Sequence, residues 1–246
     1  DGSYTYFIPD VTYHLDKWER GFKKVINEQG ADHHSTISRV RAGLQGLNKN
    51  IPKDWPEYVL HQMITVTKDN KEIKISKRAG NYLTLRELID DVGCDATRYF
   101  LVARRSDSQL VFDVNLAKSQ NNDNPVFYIQ YAHARISKVL EQWGGDTSKL
   151  ALNESFVLNS QAELKLIKSI SIFPEIVLQA TNELAPHQIA NFLKECAAEL
   201  HSYYNESKFL VDDEKTKIAR LALINSAKFV LKNGLQLLGI KAPQQM

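Results

Sequence analysis

Cysteine is scarce, with two among 246 residues, Cys94 and Cys196 in opposite halves of the chain. A pair so placed builds neither a disulfide framework nor a four-ligand zinc site. No apolar run approaches the roughly 18 residues of a membrane span. There is no low-complexity tract and no internal repeat. Neither charge sign dominates: the net charge is +2, with 17 Lys+Arg against 15 Asp+Glu in residues 1–110 and 14 against 14 in residues 111–246. That balance excludes the broad basic footprint of a nonspecific nucleic-acid binder, so an RNA partner has to be gripped by local patches and by shape. The opening Asp1-Gly-Ser-Tyr-Thr-Tyr has neither the basic start nor the apolar centre of a secretory signal, nor a methionine. It reads as the inside of a longer, cytoplasmic protein. Apolar residues make up 43% and charged residues 24%, ordinary for a folded chain of one large or two smaller domains.

The first half alternates between strand and helix signals. Residues 4–8 are β-branched and aromatic and predict a short strand. Pro9 and Asp10 suit the first turn of a helix running to about Arg20. A second strand is expected over 24–27 and a helix over 32–47, with Ile37, Val40, Leu44 and Leu47 at spacings of three and four. Residues 58–67 predict one long strand. Asp69-Asn70 is a hairpin turn signal with a returning strand over 72–76. Alternation of this kind points to an α/β layer with a parallel sheet. The chain changes character after about Ser106 and helical patterns dominate, at 84–92 and 95–104 and then at 125–143, 159–181, 187–206 and 213–237. Gly144-Gly145, Pro174, Pro186 and Gly239 punctuate them. The fold expected is therefore α/β followed by an all-α bundle.

Four segments carry candidate chemistry. Lys74-Ile75-Ser76-Lys77-Arg78-Ala79-Gly80 follows a strand with mobile ammonium groups and backbone N–H groups, suited to a polyphosphate or to a basic surface loop. Gly30-Ala31-Asp32-His33-His34 ends a strand and opens a helix. Glycine admits a ligand to the backbone and Asp32 can reach a ribose hydroxyl, or can simply cap the helix. Adjacent histidines are not a zinc spacing. Tyr6 and Asp10 lie where a strand gives way to a helix, and a planar guanidinium would suit the Asp10 carboxylate best. On the helix after Asn121-Asn122-Asp123-Asn124-Pro125, Tyr128, Tyr131, His133 and Arg135 could stack on unpaired bases, or be core aromatics beside a solvated arginine.

Taken in order and spacing, these segments resemble arginyl-tRNA synthetase of the bacterial type. Gly93-Cys-Asp-Ala-Thr-Arg-Tyr-Phe100, Gln130-Tyr-Ala-His-Ala-Arg135 and the ending Gly234-Leu-Gln-Leu-Leu-Gly-Ile-Lys-Ala-Pro-Gln-Gln-Met246 join them. The resemblance implies a class I aminoacyl-tRNA ligase. Residues 1–112 would be the C-terminal half of its Rossmann-type catalytic domain and residues 113–246 its helical anticodon-binding domain. Lys74 to Arg78 corresponds to the family's second signature loop, with Ile75 in place of Met and Arg78 in place of the last Ser.

By resemblance, Lys74 and Lys77 are catalytic and stabilise the ATP phosphates. Tyr6 and Asp10 bind the arginine guanidinium. Gly30, Asp32, His33, Met63 and Ser76 bind ATP. Tyr131, Arg135 and Met246 meet the anticodon loop. The implied partners are arginine transfer RNA, L-arginine and ATP with Mg2+ as its counter-ion, with no structural metal, no membrane and no DNA. The pattern that names the helical domain appears as Asp95-Ala96-Thr97-Arg98, where Thr97 departs from the usual Leu. None of the seven histidines fits the first signature, His-x-Gly-His. The chain is therefore expected to be a C-terminal fragment that cannot activate arginine alone. A stand-alone RNA-binding module and a helical protein-interaction domain are the alternatives.

Overall fold

The computed structural model describes residues 5–73, 83–150 and 157–246. It divides into two compact units. One comprises residues 1–65 with 106–110, and the other residues 66–105 with 111–246.

In the first unit, helix α1 (Phe7–Glu19) leads to strand β1 (Ile26–Gly30), helix α2 (His34–Gly46) and strand β2 (Glu57–His61). The strand predicted over residues 4–8 is not formed in its described part, residues 5–8, because the helix begins at Phe7. Tyr6 already has helical dihedrals and its carbonyl accepts from the Asp10 N–H at 3.1 Å. Pro9 falls in the first turn, where its missing N–H costs nothing, and there it favours the helix over the local β propensity. Strand β1 starts two residues later than expected and ends on Gly30. It pairs in parallel with β2, from Ile26 opposite Glu57 to Gly30 opposite His61. Val11, Val40, Leu44, Ile51 and Trp55 form the core of this unit.

The long strand predicted over 58–67 is divided. The Gln62 N–H donates to the Ser106 carbonyl at 2.9 Å instead of continuing the ladder. Strand β3 (Ile64–Lys68) then joins a second sheet as its middle strand, between β4 (Lys71–Ile73) and β5 (Leu110–Asp113). Strand β4 (Lys71–Ile73) returns antiparallel through Asp69 and Asn70, whose φ angles of 52° and 58° are those of a type I′ turn. Asp69 and Asn115 hydrogen-bond each other twice, at 2.8 and 2.9 Å, and fasten that turn. The expected half of a Rossmann sheet is thus seen as one parallel strand pair and a small separate sheet, within a largely helical chain.

The second unit is built on helices α3 (Leu85–Val92), α4 (Cys94–Val102), α5 (Val114–Lys118), α6 (Pro125–Trp143), α7 (Gln161–Ser171), α8 (Phe173–Asn182), α9 (His187–Glu206) and α10 (Glu214–Leu237). Strand β5 (Leu110–Asp113) and α5 have no counterpart in the sequence reading. Thr84 and Glu87 make a reciprocal capping box at α3, and Ser160 and Glu163 do so at α7. Asn124 caps α6, with Pro125 at its first position and Gly144 left-handed at its end. The helix predicted over 159–181 breaks at Ile172, because Pro174 cannot continue the hydrogen-bond ladder of α7.

Helix α10 carries apolar residues along its whole length. Leu221, Leu223, Ile224, Leu231 and Leu235 are buried in it, but Phe229 is exposed. Gly239 ends this helix with φ +69°, and a Cβ there would lie 2.7 Å from the Arg98 guanidinium. A side chain at 239 is thus both strained and obstructed.

Candidate functional site

In the first unit, Tyr6 precedes α1 and Asp10 lies one turn into it, so the two share a helix face rather than meeting at a strand end. Tyr6 is 90% exposed; Asp10 is half-buried and makes no ion pair among the described residues. One turn further on, His14 is buried. Its Nε2 accepts from the Asn27 amide at 3.1 Å, so Nδ1 carries the proton, and that atom has no partner among the described residues. Burial, aided by Lys17 and opposed by Asp10, lowers the His14 pKa to about 4. Burial raises the pKa of the Tyr58 hydroxyl, with Asn27 and Arg41 acting in the opposite sense. Gln29 Oε1 is a further buried acceptor without a partner.

The same helix and strand therefore bring together a carboxylate and several unmet polar atoms that a polar ligand could satisfy. His14, Asn27 and Tyr58 were missed in the sequence. Only the spacing of four between Asp10 and His14 could have flagged one of them.

Gly30 sits at the carboxyl end of β1, where open α/β sheets bind their ligands. A side chain there would collide with the Asp32 carboxylate. Asp32 and His33 occupy the 3-10 turn that opens α2, both exposed, with 3.8 Å between His33 Nε2 and Asp32 Oδ2. Met63 stands in the crossing from β2 to β3 with its side chain 71% exposed, leaving its backbone as the part able to define a contact. The site residues Lys74, Ser76 and Lys77 lie outside the described residues.

In the second unit, Tyr131 and Arg135 come together on α6. The Arg135 guanidinium lies 4.9 Å from the Tyr131 ring centre and 4.1 Å from that of Tyr204 on α9. Arg135 Nη1 also donates to His201 Nδ1 at 3.0 Å, while His201 Nε2 donates to the Tyr128 carbonyl at 3.2 Å. Arginine has no acceptor and a carbonyl no proton, so the two bonds fix this histidine as the neutral Nε2–H tautomer. Burial, reinforced by the Arg135 charge, outweighs the carbonyl bond and keeps the His201 pKa low. Tyr128 packs on the His201 ring at 4.4 Å, and Phe127 stacks on Tyr131 at 6.0 Å. Arg135 is thus held over two aromatic rings, a cluster of planar groups of the chemical kind that unpaired bases can stack on. His201 and Tyr204 were not anticipated, although a His and a Tyr three apart on one helix face are a visible signal.

Met246 is exposed at the chain end, and the segment before it is fixed by its backbone. Arg98 Nε donates to the Leu238 carbonyl at 2.9 Å, Gln130 Nε2 to that of Lys241 at 2.9 Å and His133 Nδ1 to that of Pro243 at 2.7 Å. Gln130 also donates to Asp95 at 2.9 Å. Thr97 is buried, and its hydroxyl donates to the Gly93 carbonyl at 2.8 Å. The Asp95-Ala96-Thr97-Arg98 segment thus acts within this unit by anchoring α6 and the C-terminal segment.

Residues 129–246 match the model of the DALR anticodon binding domain family. The whole chain is 54% identical to an arginine–tRNA ligase of Bordetella petrii and 55% identical to one of Geobacter metallireducens, covering 44% of each. An arginyl-tRNA synthetase structure from Campylobacter jejuni superposes on all of this chain with a TM-score of 0.89 at 32% identity, over 53% of its own length. The Thermus thermophilus enzyme gives 0.78 at 22% identity, a likeness of fold. The chain spans somewhat less than half the length of the curated relatives it matches. Over its whole length the chain is thus similar to the C-terminal part of arginine–tRNA ligases, and its residues 129–246 carry the match to the anticodon binding domain family.

Proposed function

We propose that this chain works as the C-terminal part of an arginine–tRNA ligase, which activates arginine with ATP and transfers it to arginine transfer RNA. Its helical unit is the anticodon reader. The observation that carries this reading is the Arg135 guanidinium between Tyr131 and Tyr204, inside the residues that match the anticodon-binding family. Its planar cation is held before any RNA arrives, so little ordering is needed on binding. Met246, beyond a backbone-anchored segment, offers a second contact to the loop.

In the first unit, Asp10 and Tyr6 receive the substrate guanidinium. Gly30 lets the nucleotide approach the strand end, Asp32 and His33 take the ribose, and Met63 meets adenine through its backbone. Lys74, Ser76 and Lys77 contribute charge and hydrogen bonds to the phosphates, which stabilises the transition state without covalent chemistry. Magnesium arrives as the counter-ion of those phosphates. Among the described residues no three His, Cys, Asp or Glu side chains converge to hold an ion, and none of these roles needs a protein ligand to it. The chain contains no His-x-Gly-His segment to complete an ATP site. By itself it is expected to bind RNA without supporting arginine-dependent ATP–pyrophosphate exchange.

The test is an equilibrium titration at two salt concentrations, with arginine transfer RNA and the same RNA carrying an altered anticodon. The native anticodon should bind more tightly, and both should weaken as salt rises. Arg135→Lys keeps the charge but loses the plane, and should cost about tenfold in affinity for the native RNA. Equal binding of the two RNAs and an unaffected variant would count against the reading.

A further inference from the structure

A cleft of about 450 Å3 opens between α6, α10 and the C-terminal segment. That is within the size range of small-ligand sites. It is lined by His133 and Glu141 of α6, Asn225, Lys228 and Lys232 of α10, and Gln244 near the chain end. His133 follows Tyr131 by two residues, a rotation of about 200° on a helix, so the cleft lies on a different face of α6 from the Arg135 platform.

Three observations bear on what the cleft takes. His133 lines the cleft and is 2% exposed, and its Nε2 is buried with no partner among the described residues. Its Nδ1 lies 2.7 Å from the Pro243 carbonyl, which can only accept, so the proton sits on Nδ1 and Nε2 presents a bare lone pair. Burial chiefly, with the two lysine charges adding to it, keeps this ring neutral. Lys228 and Lys232 are one turn apart and lack ion pairs among the described residues. Glu141 is exposed among the lining residues and supplies the one carboxylate there. The cleft therefore offers one buried acceptor beside two ammonium groups. A phosphodiester alone would leave the acceptor unmet, and a neutral donor would leave the cations unmet.

We infer that this cleft is a ribose-phosphate subsite, in which His133 Nε2 accepts from the 2′-hydroxyl of one RNA nucleotide and Lys228 and Lys232 hold its adjoining phosphate. The inference rests on the RNA-binding reading above and adds to it a contact that separates RNA from DNA. The lysines set affinity and salt dependence, and the histidine sets the sugar.

The test uses the full 246-residue chain and hairpins of the anticodon stem and loop, scanned with single 2′-deoxy nucleotides. In the parent chain one position should lose about fivefold in affinity on deoxy substitution. His133→Asn places an amide donor near the Nδ1 position, toward Pro243, and removes the Nε2 acceptor; it should abolish that single penalty while the other positions keep theirs. Lys228→Gln with Lys232→Gln alters one half-buried and one exposed side chain, and should reduce the slope of log affinity against log salt by about one to two. If the parent prefers the native anticodon but no deoxy penalty disappears in His133→Asn and the lysine pair leaves the slope unchanged, the subsite is overturned alone. If the parent shows no anticodon preference at all, the RNA reading falls and the subsite with it.

Discussion

Tyr6, Asp32, His33 and Met63 in the first unit are exposed, and Asp10 has no ion pair among the described residues. In the helical unit Arg135 is gripped by two rings and a histidine, and the segment before Met246 is held by three side chains on its carbonyls. The difference follows from the cores. Five buried residues with Leu15, Trp18 and Val25 packed beside them support the first unit, whereas one continuous core runs from Val66 to Ile240 in the second. A large core can over-determine the side chains at its surface, while a small one leaves them free to be ordered by a ligand. The candidate residues of the helical unit are thus held by their neighbours, and those of the first unit are exposed and less constrained.

The comparison breaks most visibly at Glu163. This carboxylate is 2% exposed and accepts from Tyr203 at 3.1 Å, Arg220 at 3.0 Å and the backbone N–H groups of Asn159 and Ser160, each at 3.0 Å. Burial alone would raise its pKa, but these donors together hold it below the usual carboxylate range. Glu163→Gln leaves Arg220 without its counter-charge and should cost the helical unit about 3 kcal/mol. Urea unfolding followed by far-ultraviolet circular dichroism should show the lowered midpoint. Fluorescence of Trp18 and Trp55, in a Trp143→Phe background, should shift far less. Equal shifts of both signals would mean that the two cores do not respond separately.

Much of the helical architecture was legible because its signals are local. Asn124-Pro125 with Gly144 bounds α6, Asp69-Asn70 marks the hairpin, and Gly239 ends α10. What failed depends on competition or distance. Residues 4–8 carry β propensity, yet Pro9 within a first helical turn overrides it. Residues 58–67 are rich in strand-favouring residues, but Gln62 finds its partner at Ser106, 44 positions away in the chain. Strand β5 and helix α5 are too short for periodicity to reveal. At the site, Tyr131 and Arg135 share a helix face and could be paired from spacing alone. His201, which holds the guanidinium, is 66 positions from Arg135, and no local pattern joins them.

A smaller effect, in both units, is acid sensitivity. His14, His133 and His201 all have lowered pKa values, with burial the largest cause in each. Below the ordinary value of 6.5 the unfolded chain takes protons that the native fold refuses. Stability is therefore full above pH 6.5 and falls as pH drops, levelling for His14 below about 4. Thermal unfolding between pH 7.5 and 5 should show this loss. His14→Gln should remove part of it from the Trp55 signal, since His14 lies edge-on to Trp55 at 6.0 Å, and should leave the helical signal unchanged. A uniform change in both signals would blur the contrast between the units.

The claim at the centre of this account is that the helical unit reads the anticodon loop through a platform prepared in advance. Hydroxyl-radical footprinting of arginine transfer RNA bound to this chain addresses it most directly. The account predicts protection concentrated in the anticodon stem and loop, reduced there in Arg135→Lys. Protection centred on the acceptor end, with the anticodon loop left open to cleavage, would contradict it.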